Sequence, residues 1–355
     1  MQKRLPDNCL LLYSDLLQKT IDSSYALLGG GAFVSKEIAG IRYWYFQTKS
    51  KEGTKQKYIG KQSDDLLKNI GRAKASRESM QKIIGERRRL IAMLGAGGSF
   101  IEKGRPVKIL SKMADAGLFS SGGVLVGSFA YACYGNMLGY LLDSNIARTE
   151  DMDFSVERNF EIGIERPLLN EITSFEPSFR IPFQTNPSAP PFEMIAADGF
   201  KIEFLTTKTD SADKSPVFID RFSLYAHPLD FMDYLIQKPQ PAVILAGSGI
   251  PVLVPDPARF ALHKLAISRL RPIGFQTKIN KDIAQAQSIL EILVDDNPGA
   301  LLMAFDILRQ RGDFLLSHVN SGIDRLPSNV RGAILDVVGN HAAEWDADRG
   351  AMKNS

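Results

Sequence analysis

Two short stretches constrain this chain more than anything else in it: Gly122-Gly123-Val124-Leu125-Val126-Gly127-Ser128 and Glu150-Asp151-Met152-Asp153-Phe154. The first is a brief apolar run ending in Gly-Ser, which predicts a strand, a tight turn and then a helix over the apolar residues that follow. The second alternates acidic and apolar residues, and period-two alternation puts Asp151 and Asp153 on one face of a strand. Two carboxylates side by side repel unless something offsets them, and a divalent cation does so. Gly127 lets backbone approach a bulky anion, and Ser128 adds a hydroxyl beside it at the start of a helix whose amides point the same way. A phosphate cradle beside a metal-binding carboxylate pair suggests phosphoryl or nucleotidyl transfer.

Composition narrows the alternatives. At 355 residues, with 44% hydrophobic and 23% charged, the chain is long enough for two or three folded domains. Cys9 and Cys133 show neither metal-ligand spacing nor a disulfide framework, which predicts a reducing, cytoplasmic setting. No apolar run reaches the roughly 18 residues of a membrane span, and the first residues do not read as a signal peptide. The net charge of +3 is unevenly spread: residues 36–89 hold 15 Lys/Arg against 6 Asp/Glu, an excess of +9. That asymmetry favours a polyanionic partner, although a solvated helix surface has the same composition. A Gly-x-Ser-x-Gly elbow is missing, so an α/β-type serine hydrolase is disfavoured. His227, His263, His318 and His341 read as surface or packed residues.

In chain order, residues 8–28 predict a helix stopped by Gly29-Gly30-Gly31. Ile41–Gln47 and Lys55–Gly60 flank a polar turn at Gly53 and predict a β-hairpin. Its interleaved aromatics and lysines suit nucleic-acid stacking as well as they suit packing on a helix. Ser63 caps a long predicted helix over 64–94, and Arg87-Arg88-Arg89 lies where cations complement a helix C-terminus. Gly95–Gly98 reads as a linker, followed by a short amphipathic helix over 106–117. Phe192–Ala196 and Phe200–Leu205, joined by Ala197-Asp198-Gly199, predict a second hairpin with Glu203 in its otherwise apolar second strand. A solvated edge explains Glu203, and so does a third carboxylate beside the aspartate pair. Asp256-Pro257 opens a helix over 258–269, and helices follow over 277–293, 298–311, 313–322 and 328–340.

Taken together, Gly-Gly-x3-Gly-Ser, Glu-Asp-x-Asp and a later strand acid resemble the nucleotidyltransferase superfamily with the DNA polymerase β fold. The resemblance covers about residues 110–270. Within it the chain is similar to little-characterised bacterial nucleotidyltransferases and, more distantly, to AbiEii-type toxin nucleotidyltransferases of abortive infection systems. It implies an α+β fold: a mixed-sheet core with helices, preceded by the β-hairpin and long helix, and followed by an α-helical C-terminal domain. The corresponding segments are 1–105, 106–255 and 256–355. It implies catalytic and metal-binding roles for Asp151, Asp153 and Glu203, with two Mg²⁺ ions, Mn²⁺ being an alternative. It also implies NTP binding by Gly127, Ser128, Lys264 and Arg269, with Lys281-Asp282 as the counterpart of a family Lys/Asp pair. The family usually has Asp at the third acid, and the gap from Ser128 to Asp151 is long for a compact member. The expected activity moves an NMP from an NTP to a hydroxyl on RNA, tRNA or protein, with region 36–89 as the acceptor surface and an antitoxin as a further partner. A small-molecule, antibiotic-type transferase and a non-catalytic nucleotide-binding module stay open as alternatives. No membrane partner is expected.

Overall fold

The computed structural model describes residues 2–24, 31–38, 40–50, 53–143, 150–157, 168–182, 191–209 and 215–339. The chain opens with strand β1 (Lys3–Arg4), helix α1 (Asp7–Ser24), β2 (Gly31–Ile38), β3 (Ile41–Ser50), β4 (Gly53–Lys61), the long α2 (Asp64–Ala96) and α3 (Arg105–Asp115). Next come β5 (Val124–Val126), α4 (Gly127–Leu138), β6 (Tyr140–Leu141), β7 (Asp151–Ser155), α5 (Leu168–Phe175), β8 (Glu193–Ile195) and β9 (Lys201–Thr207). They are followed by β10 (Val217–Ile219), β11 (Leu224–Leu229), α6 (Met232–Ile236), β12 (Gln240–Ile244) and β13 (Ile250–Val254). The remainder is helical: α7 (Pro257–Leu270), α8 (Gln276–Asp296), α9 (Pro298–Gln310), α10 (Asp313–Ile323) and α11 over 328–339.

The central sheet is mixed, with order β10-β11-β9-β7-β5 and β8 added beside β9. β7, β9 and β11 run parallel, while β5, β8 and β10 are antiparallel to their neighbours. Strand alternation decides which face is dry. Met152, Phe154, Ile202 and Phe204 are fully buried, and Phe154 stacks on Phe204 with ring centres 5.8 Å apart. Their neighbours Asp151, Asp153, Lys201 and Glu203 therefore share the opposite face.

The apolar core is continuous from Ile109 in α3, through this sheet, to Ile334 in α11. Asp256 caps α7 as the sequence predicts, its carboxylate accepting from the amides of Ala258 and Arg259 at 3.0 and 3.1 Å. Gly322 of α10 sits directly on α7: a Cβ there would lie 2.6 Å from the Cβ of Leu265. That close crossing seals the helix that carries Lys264.

A second, smaller cluster joins Leu5, Cys9, Tyr13 and Leu16 to Leu90, Ile91 and Leu94, and to Val243 and Leu245. It fixes α1 and α2 on the β12–β13 hairpin. Ser63 caps α2 as expected, accepting from the Leu66 amide at 3.1 Å. Arg87 is not a helix-end cation: the last turn of α2 holds no basic residue, and the buried Arg87 guanidinium donates to the Gly249 carbonyl at 2.7 Å. The Gly95–Gly98 stretch is not a free linker either. A Cβ on Gly97 would come within 2.5 Å of the Cys9 sulfur, so this corner is packed.

The predicted aromatic hairpin exists as β3–β4, and β2 extends it to a three-stranded antiparallel sheet. Residues 25–30, where the helix stop at Gly29-Gly30 was expected, lie outside the described residues, as does the tail from 340. Among the described residues no helix is long and apolar enough to cross a membrane.

Candidate active site

Each acidic residue owes its place to strand register. Asp153 pairs with Glu203 across the parallel β7–β9 ladder, and Asp151 pairs with Lys201 two residues earlier. Glu193 stands opposite Glu203 on β8, which puts Glu193, Glu203 and Asp153 in one row across three strands. Neighbouring strands are about 4.8 Å apart, so these carboxylates feel one another strongly. Lys201 partly offsets the row, with its ammonium 3.8 Å from Glu193.

The carboxyl groups register this crowding. Burial lifts Asp153 to about 6; Asp151 adds to the rise, while Lys264, Lys278 and Arg271 oppose it. Burial likewise lifts Glu203 to about 7, helped by Asp153, Glu193 and Asp151 and opposed by Lys201.

Gly127 has φ +64°, a backbone conformation that glycine adopts without strain, and it is the first residue of α4. A Cβ here would overlap the Oδ2 of Asp153 and come 3.2 Å from its Cγ. The glycine therefore clears room for the Asp153 carboxylate. Ser128 is buried beside it, and Gln285 of α8 donates its side-chain amide to the Ser128 hydroxyl at 3.2 Å.

The opposite wall is cationic and comes from α7 and α8. Lys264 donates to Asp282 at 2.7 Å with both side chains buried, 10% and 4% exposed. Arg271 reaches the other oxygen of Asp282 at 2.6 Å. Burial pushes the Asp282 carboxyl up, but Lys264 and Arg271 outweigh it and hold the group below the usual carboxylate range. Lys278 lies 3.6 Å from Asp151. Lys281 is lowered by burial and by Lys264, against the pull of Asp282, Asp151 and Asp153. On α8 the residues Lys278, Lys281, Asp282 and Gln285 fall at i, i+3, i+4 and i+7, one stripe along the helix.

The residues singled out from the sequence are thus distributed unequally. Gly127, Asp151, Asp153 and Glu203 share one sheet face and its adjoining turn, and Ser128 and Lys264 are held there by α8. Arg269 is exposed in the last turn of α7, and among the described residues it makes no ion pair with these acids. Arg271, two residues on and past the helix end, is the arginine that reaches Asp282. Lys278 and Glu193 are further members without a motif of their own; only helix period and strand register reveal them.

An all-oxygen donor set of two aspartates suits a hard cation such as Mg²⁺ or Mn²⁺. Among the described residues no group of three or more His, Cys, Asp or Glu is gathered tightly enough to cage a metal ion. Mg²⁺ sites that work on phosphates commonly use one or two protein carboxylates and complete the shell with substrate and water. Asp151 and Asp153, the latter seated against Gly127, fit that share.

A family model described as nucleotidyltransferase matches residues 105–306, which takes in every residue of this site. Comparisons with curated proteins and with solved structures find no match. The matched segment is more than half of the chain and runs from α3 through the sheet to α9, so the chain belongs to this nucleotidyltransferase family.

Proposed function

We propose that this protein transfers a nucleoside monophosphate from an NTP to a hydroxyl acceptor, with Asp151, Asp153 and Glu203 at the reacting centre. The observation that carries this reading is the register of Asp153 with Glu203, with Asp151 on the same face and Gly127 against Asp153. Divalent cations bound by Asp151 and Asp153 would supply charge neutralisation at the phosphates and acidify the acceptor hydroxyl. The rest falls to the chain. The amides at the start of α4 and the Ser128 hydroxyl face the phosphates. The acceptor oxygen attacks the α-phosphorus as the bond to the bridging oxygen breaks, and pyrophosphate leaves with that electron pair. Glu203, in register with Asp153 across the β7–β9 ladder, would take the acceptor proton. Most of the acceleration then comes from positioning and charge.

The acceptor we favour is RNA, including a tRNA end. The basic region 36–89 motivates this choice, and it takes in the end of β2, the strands β3 and β4, and most of α2. On that sheet Lys36 lies over the Tyr45 ring at 5.2 Å, a cation–aromatic surface of the kind that accepts single strands. The test is incubation of the full chain with labelled NTPs, Mg²⁺, and RNA or protein acceptors. Mass spectrometry then looks for a nucleotide adduct. Asp151→Ala with Asp153→Ala should abolish transfer with the fold intact, and undiminished transfer would refute the site. A salt-dependent RNA mobility shift, lost with substitutions of lysines in 36–61, supports the acceptor; no shift at low salt counts against it.

A further inference from the structure

Building on the transferase reading, we infer that Lys278 is the cation that receives the nucleotide's triphosphate, exchanging Asp151 for phosphate as it does so. Lys264 and Arg269 are the cations the sequence nominates, but Arg269 is exposed at the end of α7 and the Lys264 ammonium is committed. It is buried 2.7 Å from Asp282, and Arg271 closes the other side of the same carboxylate. Pulling Lys264 away would leave Asp282 short of a partner in a site almost closed to water, and breaking buried pairs is strongly unfavourable.

Lys278 stands at the other extreme. Its side chain is 55% exposed, that of Asp151 is 30% exposed, and their 3.6 Å separation is that of a loose surface pair. Such pairs contribute little in water, so the long lysine stem can leave at small cost. A cation coordinated by Asp151 competes with the ammonium for the same carboxylate. The displaced Lys278 stays on the α8 stripe, whose far end is fixed to Ser128 through Gln285. The stripe therefore spans from the metal-binding acid to the start of α4, which is the path a triphosphate would take between them.

Two binding measurements on the full chain with Lys278→Gln test this. Mn²⁺ alone, followed by electron paramagnetic resonance, should bind about twofold to fivefold more tightly once the competing ammonium is gone. Non-hydrolysable analogues of the four NTPs, presented with Mg²⁺, should bind about tenfold more weakly by calorimetry, as expected for one lost charge-assisted contact. Lys278→Arg should restore nucleotide affinity to within about threefold, because charge rather than shape is at stake. Unchanged nucleotide affinity, or unchanged or weaker Mn²⁺ binding, overturns the exchange while leaving the carboxylate site standing. A wild-type chain whose Mn²⁺ binding is indifferent to Asp151→Asn overturns the carboxylate reading itself, and the exchange with it.

Discussion

Asp153 and Glu203 stand directly opposite each other on adjacent parallel strands, and Glu193 continues their row across a third strand. A folded chain keeps like charges in line only if something else holds them. Here the apolar face behind them does so, through Met152, Phe154, Ile202 and Phe204. The reply in charge comes partly from Lys201 within the sheet, which opposes Glu203 and Glu193, and mainly from outside it: Lys264, Arg271, Lys278 and Lys281 act on Asp151, Asp153 and Asp282. The balance is local, and it makes each member's removal informative.

Asp153→Asn should stabilise the metal-free protein at pH 8 while eliminating transfer. The folded carboxyl is lifted to about 6, above its ordinary 3.8, by burial first and then by Asp151. Its contribution to stability is full below pH 3.8 and is lost as pH rises through about 6, because the unfolded chain ionises more readily. Removing the charge should recover about 1–3 kcal/mol at pH 8. Urea unfolding in chelator reads this directly, and an unchanged or lower midpoint contradicts it.

Gly127→Ala should cripple the site without unfolding the chain. Alanine at φ +64° costs about 1–2 kcal/mol in backbone strain, and its methyl would overlap Asp153 Oδ2. The carboxylate has to move, and displacement of a reacting group by about 1 Å can cost roughly 100-fold in rate. The expected pattern is a melting temperature lowered by a few degrees beside a far larger loss of activity. A proportional loss of both would show that the glycine serves stability alone.

How much of this was legible beforehand depends on which period carries the signal. Asp151, Asp153 and Glu203 could be read because strand alternation is a two-residue rule and each sits in a short apolar run. Gly127-Ser128 was recognisable as a turn, but its contact with Asp153 depends on how β5 and β7 pair. Arg271 was illegible for a different reason. It lies beyond α7, with extended backbone (φ −68°, ψ 136°), and only the turn into α8 brings it to Asp282. Arg269, still within α7 and five residues after Lys264, is rotated about 140° from it around the helix and ends up in solvent. The strand β2 was missed because Phe33 and Val34 point to opposite faces, leaving no apolar alternation; pairing with β3 supplies the strand instead.

Asp282→Ala should be among the most destabilising single changes in the helical half. It strands Lys264 in a buried position and removes the partner of Arg271, a loss of about 3–5 kcal/mol. Arg271→Ala leaves the Lys264–Asp282 pair in place and should cost about 1 kcal/mol, since Arg271 is 30% exposed. Chemical denaturation of both variants checks the ranking, and equal losses would mean that Arg271 rather than Lys264 is the main counterion.

His263 sets an acid limit on the fold. The ring is buried in α7, and burial, reinforced by Lys264, lowers it from 6.5 to about 3 despite the opposing pull of Asp282. The folded protein therefore keeps this imidazole neutral where the unfolded chain would already be protonated. Its contribution is intact above pH 6.5 and is lost as pH falls toward 3, at up to about 1.4 kcal/mol per unit. Between pH 7.5 and pH 5 that amounts to about 2 kcal/mol. His263→Phe, which keeps a ring of similar size but cannot titrate, should lose about 2 kcal/mol less than the wild type over this interval. Parallel urea titrations at the two pH values decide the point, and identical pH losses in the two proteins would place the acid sensitivity elsewhere.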